Sequence, residues 1–72
     1  MVDFSVAEAE KAIKVIAETL GVDADALLEE LCSQYQGYQY DMHEMDQEDA
    51  LQPYAAWMLI NATDVVMEMR ER

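Results

Sequence analysis

The chain has 72 residues, with sixteen acidic and four basic side chains, a net charge of −12 and 53% apolar residues. The apolar content is too high for a disordered acidic tail, and the two glycines and one proline are too few for a turn-rich β-sandwich, so we expect one folded helical domain. A single cysteine excludes an internal disulfide framework and is typical of a cytoplasmic protein. The negative charge would repel nucleic acid and anionic membranes, which excludes both as direct partners.

Chain length adds a constraint on stability. A chain of this size buries a small share of its surface and usually needs a disulfide, a metal ion or a partner chain. With disulfides excluded, self-association is the simplest of these routes. The longest apolar run, Ala55 to Ile60, is too short for a transmembrane helix or a signal peptide.

The first helix is predicted over about residues 5–20. Ser5 and Glu8 have the spacing of a capping box, in which each side chain binds the backbone N–H of the other residue. Apolar residues then recur every three or four positions up to Leu20, and Gly21 suits the left-handed residue that ends a helix.

A second helix is predicted over about residues 24–36, and a third over about 53–70. Asp23 is a suitable N-cap and Gly37 a suitable stop for the second helix. Pro53 is suited to the first position of the third helix, and Arg70 to its negative end. The intervening segment 38–52 is rich in acid, tyrosine and methionine, and the pattern leaves open whether it contains a short helix.

Residues 12–31 resemble a helix-turn-helix unit. The small residue Ala17, Gly21 four positions later and Leu27 six positions beyond that match the pattern of the motif. The resemblance implies a helical hairpin, but its second helix begins with Asp23 and Asp25 where DNA-binding members contact bases. We therefore expect the shape without the DNA binding, and an all-α fold in which this hairpin is followed by a longer C-terminal helix.

The third helix is apolar on two sides. One face carries Tyr54, Met58, Ala62 and Val65, whereas a second stripe lies on another side. Two short helices cannot cover both sides, so we expect a homodimer whose interface is formed by Ala56, Trp57, Ile60 and Met67. The alternative is a three-helix bundle in which one chain covers the whole third helix.

Acidic residues dominate the middle of the chain. Five of them fall within residues 41–49, directly after two tyrosines, and the whole interval from Gly21 to Asp64 contains no lysine or arginine. A basic protein would relieve the mutual repulsion of these charges and be attracted over a distance. We therefore predict a partner-binding surface consisting of Tyr38, Tyr40, Asp41, Glu44, Asp46, Glu48 and Asp49. The alternative is that these acids only keep the protein in solution.

No motif predicts catalysis, a metal or a cofactor. His43 is the only histidine, Cys32 is expected to pack on the apolar face of the second helix, and the acidic run lacks the glycine and ligand spacing of an EF-hand. We expect a non-enzymatic protein that inhibits or modulates a larger, basic protein, with nucleic-acid mimicry as one form of that function. Small size and acidity are typical of phage-encoded inhibitors, although no residue shows such an origin. The alternative function is a structural or regulatory subunit that docks through the apolar surface of the third helix.

Overall fold

The computed structural model describes residues 5–71, which form three α-helices and one short 3-10 helix. The helices are α1 (Val6–Leu20), α2 (Ala24–Glu44) and α3 (Tyr54–Arg70), and the 3-10 helix η1 (Glu48–Ala50) lies between α2 and α3. Each α-helix packs against the other two, and η1 packs against α2. The predicted all-α fold is therefore confirmed.

The two ends of α1 lie where the sequence predicts them, and one of the two hydrogen bonds of the predicted capping box is present. The Ser5 hydroxyl accepts a hydrogen bond from the Glu8 backbone N–H at 3.1 Å. At the other end, Gly21 has a φ of 75°, and the Val22 N–H donates to the Ala17 carbonyl at 2.9 Å. These contacts pair backbone groups that the helix ends would otherwise leave free.

The second helix is longer than predicted. It continues through Gly37 to Glu44, because side chains beyond the glycine also face the protein: Tyr38 packs on Trp57, and Met42 is buried. Tertiary packing thus outweighs the weak helix propensity of one glycine. The helix is closed by Asp46, whose φ is 55°, and by a 2.8 Å bond from the Gln47 N–H to the Met42 carbonyl.

The core lies where α3 crosses the other two helices. Small side chains at Ala9 and Ala17 of α1 flank the fully buried Ile13 and allow α3 to approach closely. The buried apolar residues of the core are Ala9, Ile13, Ala17, Leu27, Leu31, Ala55, Trp57, Met58, Ala62, Val65 and Val66. The third helix begins at Tyr54, one residue later than predicted, and Pro53 precedes it and accepts the Trp57 N–H through its carbonyl.

We expect Gly37→Ala to stabilise the protein by about 1 kcal/mol, because alanine favours a helix interior more than glycine does. A Cβ atom at Gly37 meets no heavy atom within 4 Å, so the methyl group introduces no clash. Urea unfolding followed by circular dichroism measures the change. Gly21→Ala is the matched control and should destabilise the protein, because Gly21 has a positive φ. Destabilisation by Gly37→Ala would contradict this account of α2.

Candidate functional site

The five clustered carboxylates lie together at one end of α2. We call residues 41–49 the acidic segment; its carboxylates are Asp41, Glu44, Asp46, Glu48 and Asp49. The first two belong to the last turn of α2, the third closes that helix, and the last two begin η1. All five residues are exposed. The extension of α2 therefore brings the predicted acidic residues to one helix end and the turn beside it.

Two carboxylates of the acidic segment lie where the helix dipole disfavours negative charge. The C-terminal end of a helix carries partial negative charge from its unpaired carbonyl groups, which favours bases and disfavours acids. Asp41 and Glu44 lie in this last turn, and they are also neighbours three residues apart on the helix surface. No lysine or arginine occurs between Lys14 and Arg70 in the sequence. Asp41 and Glu44 are therefore expected to lower the stability of the free protein.

Hydrogen bonds and one buried side chain hold the acidic segment in place. Met42 anchors the last turn of α2, and its carbonyl accepts the Gln47 N–H. Beyond the turn, the Ala50 and Leu51 N–H groups donate to the Gln47 and Glu48 carbonyls at 3.0 and 3.1 Å. The segment is thus a structured surface with defined positions for its carboxylates.

The two tyrosines predicted to bind a partner have different environments. Tyr40 is 64% exposed beside the acidic segment. Tyr38 is half-buried, its ring stacks on Trp57, and its hydroxyl accepts the Gln52 N–H at 3.1 Å. Tyr40 is therefore accessible to a partner, whereas most of Tyr38 is used within the chain.

Four aromatic rings form a cluster between α2 and α3 that the sequence analysis did not identify. Its members are Tyr35, Tyr38, Tyr54 and Trp57, with ring-centroid distances of 4.8 to 6.0 Å. The Tyr35 hydroxyl donates to the Gln52 carbonyl at 2.7 Å, so Tyr35 and Tyr38 together bind both backbone groups of one linker residue. The sequence does contain a signal for this cluster. Tyr35 and Tyr38 are three residues apart, as are Tyr54 and Trp57, and this spacing places the two rings of each pair on one helix face.

The cluster raises the pKa of two phenols. Burial raises the pKa of Tyr54 to about 12, and the adjacent Cys32 thiol and the Glu10 carboxylate act in the same direction. Burial, with a smaller contribution from Tyr38, also raises the pKa of Tyr35. Cys32 itself is exposed, which corrects the expectation that it packs in the apolar interior.

The pKa of Tyr54 is higher in the folded chain than the ordinary tyrosine value of 10.0. Its neutral phenol therefore favours folding, and this contribution is fully present below pH 10. We expect this contribution to be lost as the pH rises from about 10 to about 12. Urea unfolding at half-unit intervals would show the free energy of unfolding falling more in the wild type than in Tyr54→Phe. Tyr40→Phe, which removes an exposed phenol, should follow the wild type. If the free energy of unfolding depended on pH in the same way in the wild type and in Tyr54→Phe, the raised pKa of Tyr54 would be contradicted.

The predicted dimer residues of α3 divide into two groups. Ile60 and Met67 are 63% and 57% exposed and Ala56 is half-buried, so the described chain leaves this stripe largely uncovered. Residues 5–71 of one chain therefore do not cover the whole of α3, contrary to the three-helix-bundle alternative. Trp57 is 7% exposed and belongs to the core of one chain, so its predicted place at a dimer interface is corrected.

Other types of site receive no support from the described residues. Within residues 5–71, no group of three or more histidine, cysteine or acidic side chains is arranged to hold a metal ion. None of the helices described there has the length and hydropathy needed to cross a membrane. Comparisons with protein-family models, curated proteins and solved structures give no match to the chain.

Proposed function

We propose that the protein binds a larger, basic protein through the acidic segment and Tyr40, and that this binding inhibits or modulates the partner. The observation that carries the proposal is the position of Asp41 and Glu44 in the last turn of α2, exposed and opposed to the helix dipole. Acids that served solubility alone would cost less stability at other surface positions. A basic partner would offset this cost when it binds.

The chemistry of the segment favours one class of partner. Several carboxylates on an ordered surface offer negative charges at short spacing, as the phosphates of a nucleic acid do. A nucleic-acid-binding protein has a basic surface suited to such charges, so we propose nucleic-acid mimicry as the form of recognition. Tyr40 adds an exposed aromatic ring of the kind that contributes strongly to protein interfaces. In this proposal the protein performs no catalysis, and the α1–α2 hairpin serves as scaffold.

The test is affinity capture from a lysate of the cells in which the protein occurs, at about 50 mM and at about 500 mM salt. Salt screens attraction between exposed charges much more strongly at the higher concentration. We expect a basic protein to be retained at low salt and released at high salt. Glu18→Lys/Glu29→Lys is the control, since it changes two exposed carboxylates elsewhere and should retain the same protein. Capture that resists high salt, or that the control abolishes, would contradict the proposal.

A second candidate rests on the exposed stripe of α3. Residues 50–63, which include Ala56 and Ile60 but not Met67, contain no charged side chain, although the chain carries a net charge of −12. This part of α3 therefore repels a second copy or an apolar partner least. We propose a homodimer through Ala56, Ile60 and Met67, which would also supply the stabilisation that a small domain needs. Sedimentation equilibrium should give a dimer for the wild type and a monomer for Ile60→Glu/Met67→Glu. A wild-type monomer would exclude the homodimer.

A further inference from the structure

The acidic segment contains one imidazole side chain, and it contacts one of the carboxylates of the segment. His43 lies in the last turn of α2, and its Nδ1 atom contacts the Glu48 Oε1 atom at the start of η1. Histidine is the side-chain type whose ordinary titration falls between pH 5 and 8, and His43 is the only histidine of the chain. The contact therefore joins two parts of the segment through a titratable link.

The titratable groups near His43 belong to α2, to η1 and to the turn between them. On α2, Tyr40, Asp41 and Glu44 lie within one turn of it, and the helix end adds partial negative charge. Glu48 contacts His43 from η1, Asp49 follows Glu48 in the same element, and Asp46 lies in the turn between α2 and η1. Among the elements described in residues 5–71, η1 packs against α2 alone, and no side chain of α1 or α3 forms an ion pair with His43.

We infer that His43 is a pH-dependent link that holds η1 at the end of α2 more firmly when it is protonated than when it is neutral. Protonation converts the contact with Glu48 into an ion pair, and loss of the proton leaves at most a neutral hydrogen bond. Both side chains are largely exposed, so the ion pair changes the local equilibrium about two- to fivefold. The turn that this link orders is η1, which is closed by the hydrogen bonds of the Ala50 and Leu51 N–H groups.

The consequence for binding rests on the proposed function. The link adds to the backbone hydrogen bonds that position Glu48 and Asp49 relative to Asp41 and Glu44. A partner that recognises all four carboxylates therefore meets an ordered surface at low pH and a looser, more negative one at high pH. The link between His43 and Glu48 is a property of the free protein, so it can be tested without a partner.

The experiment is a pH titration of the ¹⁵N-labelled protein between pH 5.5 and 8.5, with heteronuclear NOE values for the backbone amides of residues 48–51. In the wild type, we expect these NOE values to fall along the same sigmoidal curve as the imidazole resonances of His43. In Glu48→Gln the imidazole still titrates, but the fall at residues 48–51 is lost. Glu29→Gln removes an exposed carboxylate of α2 that lies far from His43 along the helix, and this variant should behave as the wild type does.

Two results would overturn the inference. NOE values that do not change with pH in the wild type would show that η1 is not held by the link. An equal fall in Glu48→Gln would show that other charges control the turn. Neither result bears on the capture experiment, so failure of the link and failure of the proposed function are distinguishable.

Discussion

Trp57→Ala is expected to destabilise the protein by about 3–5 kcal/mol, the range for removing a large aromatic side chain from a core. The indole is 7% exposed and contacts the rings of Tyr35 and Tyr38 at centroid distances of 5.3 and 6.0 Å. Its loss opens a cavity between α2 and α3 and removes the support of the two tyrosines that bind Gln52. Since the total stability of small domains is about 5–15 kcal/mol, this loss removes a large share of it.

Urea unfolding followed by circular dichroism measures this loss. Trp57→Phe is the matched control, because it keeps an aromatic ring in the cluster and should cost less than Trp57→Ala. A loss below about 1 kcal/mol for Trp57→Ala would place the indole at the surface and return it to the predicted dimer interface. Should Trp57→Ala not fold, Trp57→Phe and the milder Val66→Ala still report on the same core.

Asp41→Lys/Glu44→Lys is expected to stabilise the free protein and to abolish partner binding. Each substitution replaces an acid by a base in the last turn of α2, where the helix dipole favours positive charge by about 0.3–1 kcal/mol per site. We therefore expect a gain of about 1–2 kcal/mol in the free energy of unfolding. Binding should be lost because lysines on this surface repel a basic partner.

A gain in stability together with a loss of binding would distinguish acids that bind a partner from acids that only keep the protein in solution. If the acids only kept the protein in solution, the double variant would gain stability and no binding would change. Glu18→Lys/Glu29→Lys is the control of equal net charge. It should gain less stability, since only Glu18 lies near a helix end, and should keep its binding. Destabilisation by Asp41→Lys/Glu44→Lys would contradict the electrostatic account of α2.

The fold was predictable from sequence where local interactions decide it. Both ends of α1 depend on residues close in the chain, namely Ser5 with Glu8 and Gly21 with the carbonyl of Ala17. The end of α2 depends instead on distant contacts, since Tyr38 and Met42 pack within the protein and carry the helix past Gly37. Asp46 then adopts the left-handed conformation for which glycine was expected.

The candidate site was predictable in part for the same reason. The acidic residues are contiguous in sequence, so their clustering needed no tertiary structure. The division between Tyr38 and Tyr40 did need it, because Tyr38 turns towards Trp57 only once α2 extends beyond Gly37 and meets α3. The binding of Gln52 by Tyr35 and Tyr38 spans 17 and 14 residues of sequence, which no local pattern indicates.

The central claim is that the acidic segment, and not the overall charge, recognises a basic partner. The most direct test is the dissociation constant of the captured protein for three purified forms of the chain, measured by isothermal titration calorimetry at about 150 mM salt. These forms are the wild type, Asp41→Lys/Glu44→Lys and Glu18→Lys/Glu29→Lys. We predict that the first double variant binds at least about 100-fold more weakly than the wild type, since like charges at an interface cost several kcal/mol, while the second binds within about threefold of it. Equal losses in the two double variants would show that net charge alone attracts the partner, and would contradict the claim.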